Sequence, residues 1–109
     1  MNAIRVQQYG DPEVLRVDKT LIPVPGEGQA LIKLHACGVN FIDVYHRTGL
    51  YKVPVPFTPG MEGAGVVESI GTNVTEVQPG DRVAYAMALG SYAEYALVPG
   101  WQFINLGPR

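Results

Sequence analysis

Cysteine and histidine are scarce in this sequence. Its 109 residues include one cysteine, Cys37, and two histidines, His35 and His46. One thiol forms no internal disulfide, no CxxC pair and no four-cysteine zinc cluster. His35 and Cys37 are two residues apart, and two ligands are fewer than the three or four that a zinc site requires. We therefore predict no metal site, with Cys37 as a small core residue and His46 as a solvated one.

Charge and long apolar runs are also sparse. Eight basic residues against ten acidic ones give a net charge of −2, whereas a nucleic-acid-binding domain has a basic excess on one face. No run approaches the roughly 18 apolar residues of a membrane span, and the first residues hold no apolar core of signal-peptide length. These absences predict a soluble, cytoplasmic protein that binds neither nucleic acid nor membrane.

The length of the chain limits it to one domain. A chain of 109 residues buries roughly two thirds of its unfolded surface, which is enough for one hydrophobic core. A redox enzyme that uses a dissociable nucleotide needs a nucleotide-binding domain beside a substrate domain, and both do not fit in this length. We therefore predict a single domain over residues 1–109.

Frequent turn residues indicate a mainly β fold. Thirteen glycines and nine prolines are spread along the chain, which is typical of many short strands. Apolar and polar residues alternate most clearly over residues 29–38, where Ala30, Ile32 and Leu34 share one face. The predicted strands are residues 3–8, 15–20, 29–38, 63–70, 82–87, 92–98 and 101–106.

One segment has helical rather than strand character. Asn40 is a good N-cap residue, and Gly49 is a typical helix exit. We predict one short helix between them, with Phe41, Val44, Tyr45 and Thr48 on one face. Residues 51–60 contain three prolines and are predicted to form a loop over the surface or over a cleft.

The segment around Glu62 has two readings. Gly63 and Gly65 partly match a dinucleotide fingerprint, but Glu68 occupies its sixth position and a strand-like run follows. Glycines that allow close strand packing are the preferred reading. If Glu62 is buried, it needs a partner, and Arg82 or Lys52 is the plausible cation.

Aromatic residues concentrate around the helix and the proline-rich loop, and Asn40 stands at their head. This group consists of Phe41, Tyr45, Tyr51 and Phe57. It forms either plain core or the wall of a cleft for a flat ligand. In the second case the tyrosines and Asn40 donate hydrogen bonds to a carbonyl oxygen that gains negative charge.

Four ordered motifs together resemble a known pattern. They are residues 36–43 (ACGVNFID), 59–71 (PGMEGAGVVESIG), 79–83 (PGDRV) and 90–95 (GSYAEY). In this order they resemble the N-terminal, chaperonin-10-like (GroES-like) domain of the medium-chain dehydrogenase/reductase superfamily. Residues 9–15 (YGDPEVL) and 40–51 resemble its zinc-independent quinone oxidoreductase branch. The resemblance implies a partly open β-barrel with one short helix and no Rossmann domain in these residues, so we expect a piece of a longer protein.

Two departures from the zinc-dependent members inform the chemistry. Where those enzymes carry a cysteine and a histidine that bind the catalytic zinc, this sequence has Asn40 and Met61. The resemblance therefore also implies no zinc. Without that Lewis acid, reduction of an electrophilic quinone or related enone remains feasible.

The resemblance also assigns roles to residues. It implies NADPH as the cofactor, with Asn40, Phe41, Ile42 and Asp43 near it, and a homodimer in the full-length enzyme. Tyr45 and Tyr51 would line the acceptor pocket, and with Asn40 they form the predicted catalytic set, Tyr51 being nearest the substrate oxygen.

Two alternatives remain open at this point. One is a non-enzymatic binding or assembly module like the chaperonin-10 proteins, with the loop around Val53–Phe57 as its mobile segment. The other is an enoyl-thioester reductase of the same superfamily.

Overall fold

Seven strands and one α-helix form the regular framework of the described part of the chain. The computed structural model describes residues 1–107. The strands are β1 (Asn2–Val6), β2 (Leu15–Lys19), β3 (Gln29–Cys37), β4 (Glu62–Ile70), β5 (Arg82–Ala86), β6 (Tyr95–Pro99) and β7 (Ile104–Asn105), and α1 (Phe41–Thr48) lies between β3 and β4. Two 3₁₀ turns, Pro12–Val14 and Gly100–Gln102, complete the regular structure. The mainly β fold class is as predicted; the last two residues of the predicted domain lie outside the described range.

The strands form two sheets that do not close into a full barrel. β1 and β2 pair antiparallel, and the second sheet has the order β6-β3-β4-β5-β7. Single bridges from Ala3 to Ala93 and from Val6 to Phe57 tie β1 to the loops around it. This is the partly open barrel that the resemblance implied.

The core lies between these elements and is built mainly from small and β-branched side chains, with one tyrosine. Its buried members are Ala30, Ile32, Val67, Val74, Val77, Val83, Tyr85, Ala96 and Val98. β3 contributes to it from the interior of the five-stranded sheet, where it pairs with β6 on one side and β4 on the other. β-Branched residues favour such pleated, buried surfaces, which explains why the alternation over β3 was informative.

Close strand packing explains the glycines of β4. A Cβ atom on Gly65 would collide with the carbonyl group of Lys33 on β3, and one on Gly63 would lie 2.7 Å from Leu34 Cδ2. The pairing of β3 with β4 also shifts register between Leu34 and Ala36. A strand, not a helix, follows these glycines, so they serve packing, as the preferred reading had it.

Two predicted strands are shorter than expected. Residues 92–94 are not part of β6, because their backbone groups bond to the β1 region: Ile4 N–H donates to the Tyr92 carbonyl and Glu94 N–H to the Asn2 carbonyl. The last predicted strand, 101–106, shrinks to β7 because a 3₁₀ turn occupies its start. The change at β6 comes from tertiary pairing that the local sequence does not encode.

Candidate functional site

The predicted site residues lie on and around α1. The helix begins after Asn40, whose backbone is extended (φ −131°, ψ 158°), and its C-cap is Gly49 in the left-handed region (φ 85°). The Asn40 N–H donates to Asp43 Oδ2 at 2.9 Å. This contact satisfies a backbone donor just before the helix and fixes where the helix begins.

The helix turns its polar side inward. Its two buried residues are Asp43 and His46, which are 6% and 7% exposed. Phe41, at the other extreme, is 84% exposed. The expectation that His46 is solvated was therefore wrong: residues three apart share a helix face, and the face that carries Asp43 is the one packed against the barrel.

Asp43 is held by two donors on one oxygen. Besides the Asn40 N–H, Asp43 Oδ2 accepts a hydrogen bond from the Tyr92 hydroxyl at 2.6 Å. Burial and the bond to Asp43 raise the pKa of Tyr92 well above its ordinary value, so the hydroxyl stays protonated. Tyr92 lies in the fourth sequence motif, but sequence reasoning gave it no role. The available signal was the helix carboxylate itself, which needs a donor if it is buried.

The outward side of α1 forms an apolar strip. We call Phe41, Val44, Tyr45 and Tyr51 the α1 strip; they are 84%, 40%, 37% and 55% exposed. The rings of Tyr45 and Tyr51 meet edge to face, with centroids 5.3 Å apart and planes at 74°. The Tyr51 N–H also donates to the Tyr45 carbonyl at 3.2 Å. Within residues 1–107 these side chains are not core, whereas the fourth aromatic of the group, Phe57, is buried.

The predicted site residues form two groups along α1. Asn40 and Asp43 meet at the start of α1, and Tyr45 and Tyr51 meet near its end. Asn40 precedes the first residue of α1 and Tyr51 follows its last, and an eight-residue helix is about 12 Å long. Ile42 is half-buried. The arrangement offers an amide at one end, phenol groups at the other and an aromatic face between them.

Glu62 and Cys37 differ from what their neighbourhood in the sequence indicated. Glu62 is half-buried, and its carboxylate lies over Gly38, where a Cβ atom would collide with it. Neither expected cation reaches it: Lys52 Nζ lies 5.2 Å from the centroid of the Tyr9 ring, and Arg82 pairs with Val66 at the other end of β5. Cys37 is exposed, not a core residue, because it ends β3 where the sheet meets the turn into α1.

The second sheet carries at least two concave regions. The larger is an open cleft of about 810 Å³ whose lining includes His35, Gly65, Arg82 and Asn105. The smaller, about 330 Å³, lies beside Cys37 and Glu62. None of the predicted catalytic residues lines either of them.

The described residues provide neither a grouped metal site nor a membrane-spanning helix. Across the described part of the chain, no three side chains of His, Cys, Asp or Glu are grouped as a metal site requires. No helix there has both the length and the apolar character needed to cross a bilayer. The predicted absence of zinc stays a prediction.

Comparison with known proteins places these features in a family. The profile described as "Alcohol dehydrogenase GroES-like domain" matches residues 26–108. A quinone oxidoreductase from Mus musculus is 48% identical over 101 residues, covering 89% of this chain and 30% of that protein. The chain thus spans about a third of the length of the curated relatives it matches.

Solved structures agree with the fold described above. A mycobacterial quinone oxidoreductase is 43% identical with a TM-score of 0.94, over 98% of this chain and 34% of that one. An Escherichia coli quinone oxidoreductase solved in complex with NADPH is 36% identical, also with a TM-score of 0.94, over 98% of this chain and 33% of that one. With the profile match covering most of its length, the chain belongs to the alcohol dehydrogenase GroES-like domain family, in the branch of the medium-chain dehydrogenase/reductase superfamily that contains the quinone oxidoreductases.

Proposed function

We propose that this chain is the substrate-side domain of an NADPH-dependent reductase of quinones or related enones. The observation that carries the proposal is the orientation of α1. The helix buries two polar side chains, Asp43 and His46, and leaves its aromatic side chains exposed. Exposing this strip has a cost in water, about 25 cal/mol for each Å² of apolar surface, and a flat ligand or a second domain removes that cost.

The start of α1 fits a nicotinamide. Asn40 is exposed, and its carboxamide carries both a donor and an acceptor, which complement the carboxamide of a nicotinamide. The exposed ring of Phe41 provides an apolar surface for a flat heterocycle. Asp43 contributes differently: its carboxylate is buried and engaged by two donors, so it holds the turn instead of contacting the ligand. When bound, NADPH supplies the hydride.

The far end of the strip fits the acceptor. As a quinone accepts a hydride, negative charge develops on its oxygen, and a hydrogen-bond donor at that oxygen stabilises the charge. In this proposal Tyr51 supplies that hydroxyl and Tyr45 supports its ring through the edge-to-face contact. The acceptor then takes a proton from solvent, giving the hydroquinone.

Zinc has no part in this proposal. Met61 and Asn40 offer a thioether and a neutral amide in place of a histidine and a cysteine, and these are poor zinc ligands. A homodimer of the full-length protein and a cytoplasmic location complete the proposal; they rest on the resemblance and on the composition.

A chimera tests the function directly. The matching third of the mycobacterial relative, which is 43% identical, is replaced by residues 1–109 and the product is assayed with NADPH and a benzoquinone. We expect quinone-dependent NADPH oxidation within about tenfold of the parent enzyme. The 109-residue chain alone is expected to be inactive, because residues 1–107 include no phosphate-binding helix start of a nucleotide-binding domain.

The controls separate folding from function. The relative's remaining two thirds, without this domain, should bind NADPH and reduce no quinone. A chimera that folds, binds NADPH and leaves every quinone and enone unreduced would overturn the proposal.

A further inference from the structure

We propose that Tyr92 is a positioning residue for the start of α1, acting through the buried Asp43 to hold Asn40; this inference rests on the function proposed above. The connection is short. One oxygen, Asp43 Oδ2, accepts both the Tyr92 hydroxyl at 2.6 Å and the Asn40 N–H at 2.9 Å. The orientation of that carboxylate therefore decides the geometry at both ends.

Backbone hydrogen bonds hold Tyr92 in place. Its N–H donates to the Pro59 carbonyl at 3.0 Å, and its own carbonyl accepts from the Ile4 N–H of β1 at 2.8 Å. Its ring packs against Gly60 (φ 100°), where a Cβ atom would come 2.6 Å from Tyr92 Cδ1. This contact with Gly60 limits the movement of the half-buried ring on that side and so restricts its hydroxyl.

Few other contacts orient the Asp43 carboxylate. The residue is 6% exposed, and its other oxygen, Oδ1, is buried with no hydrogen-bond partner among the described residues. His46, on the same helix face, also has an unpartnered buried atom, Nδ1. A buried carboxylate needs its hydrogen bonds, and here one of the two comes from Tyr92. Removal of that hydroxyl leaves the carboxylate free to turn.

The consequence falls on Asn40. The Asn40 carboxamide is exposed at the start of the α1 strip. The Asn40 backbone is extended; its N–H donates to Asp43 Oδ2 at 2.9 Å, and its carbonyl accepts from the Asp43 N–H at 3.0 Å. The first of these two contacts is the one that depends on the orientation of the carboxylate. Displacements of about 1 Å at groups that position a ligand cost up to about 100-fold in rate. Tyr92 touches no ligand in this scheme, so its effect appears in how Asn40 is held.

The test compares Tyr92→Phe with Tyr95→Phe in the chimera described above. Tyr92→Phe removes only the hydroxyl, and Tyr95, a half-buried tyrosine of β6, gives a matched control. We expect Tyr92→Phe to speed amide hydrogen exchange of residues 40–43 by roughly tenfold, because loss of one charge-assisted hydrogen bond makes local opening easier by about that factor. We expect a similar rise in the NADPH dissociation constant, measured by fluorescence, with the quinone KM within twofold. Tyr95→Phe should leave all three unchanged.

A second variant keeps the test independent of folding. Asp43→Asn retains the shape of the side chain but weakens both hydrogen bonds, so it should also speed exchange at residues 40–43. The double variant Tyr92→Phe/Asp43→Asn should show less than the product of the single effects, because both act through one oxygen. Equal exchange in Tyr92→Phe and Tyr95→Phe, or effects that simply multiply, would overturn the inference. Failure of the proposed function is a different result: the chimera without substitutions would then be inactive.

Discussion

The substitution Gly65→Ala gives the sharpest stability prediction, because at Gly65 two strand backbones approach each other most closely in the sheet. A Cβ atom at this position would collide with the Lys33 carbonyl and lie 2.9 Å from the Lys33 carbonyl carbon and 3.0 Å from Leu34 Cα. All three are backbone atoms of β3. No side chain can rotate away to make room, so β3 and β4 must move apart where their register already shifts.

The expected loss follows from two opposing terms. Inserting a methyl group where packing is already tight costs about 1–3 kcal/mol. Gly65 is half-buried, but the upper part of that range applies because the obstructing atoms are backbone. Replacing glycine by alanine also restricts the unfolded chain, which returns about 0.4–1 kcal/mol. We therefore expect a net loss of about 2 kcal/mol, which lowers Tm by roughly 8–16 °C in a domain of this size.

Thermal unfolding followed by circular dichroism measures this loss, with Gly26→Ala as the control. At Gly26 the nearest atom to a Cβ is Gln29 Oε1, 3.3 Å away at the end of a flexible side chain. Its Tm should change by no more than about 4 °C, the equivalent of roughly 0.5 kcal/mol. If Gly65→Ala and Gly26→Ala have the same Tm, the close approach of β3 and β4 does not cause the predicted loss of stability.

Three other outcomes are expected. In the chimera, Tyr51→Phe should lower kcat/KM for quinone roughly tenfold, or about 1.4 kcal/mol, because a donor to the developing oxyanion is lost; a change within twofold would show that Tyr51 only packs. After dialysis, metal analysis of the purified chain should find no bound zinc, since Asn40 and Met61 are poor ligands; one tightly held zinc per chain contradicts this. Burial, with the charge of nearby Cys37 second, raises the pKa of Tyr85 to about 12 from 10.0, so its contribution to stability is complete below pH 10 and is lost between pH 10 and 12. Tyr85→Phe should make the unfolding free energy flatter over that interval without lowering it at pH 7, because the buried hydroxyl has no partner to lose; an unchanged slope would contradict the assigned cause.

Local patterns predicted most of the secondary structure. Alternation identified β3, and Asn40 and Gly49 delimited α1, because both signals depend on residues that are neighbours in the chain. The ends of β6 and β7 were less predictable. There the backbone bonds to distant segments, such as Tyr92 to the β1 strand, and no local pattern reports such a partner.

The orientation of α1 was beyond local reasoning for the same cause. Asp43 is buried because Tyr92, 49 residues later, supplies a donor to it. Without that donor, Asp43 would favour the solvent side, and Phe41 would favour the core. The sequence indicated which side chains share a face, but not which face is inside. The sequence signals for the roles of Tyr45, Tyr51 and Asn40 came from resemblance, and those roles remain predictions.

The composition of the buried face has a consequence for the dynamics of α1. An isolated helix of eight residues is far below the length at which helices persist in water, and this one buries no large apolar side chain to compensate. It is therefore expected to be the element that opens first, by local unfolding, while the sheets around it remain intact. A ligand that binds the exposed side of α1 should therefore also stabilise the folded state of the helix. Ligand binding should slow amide hydrogen exchange along α1 before it raises the Tm of the whole domain.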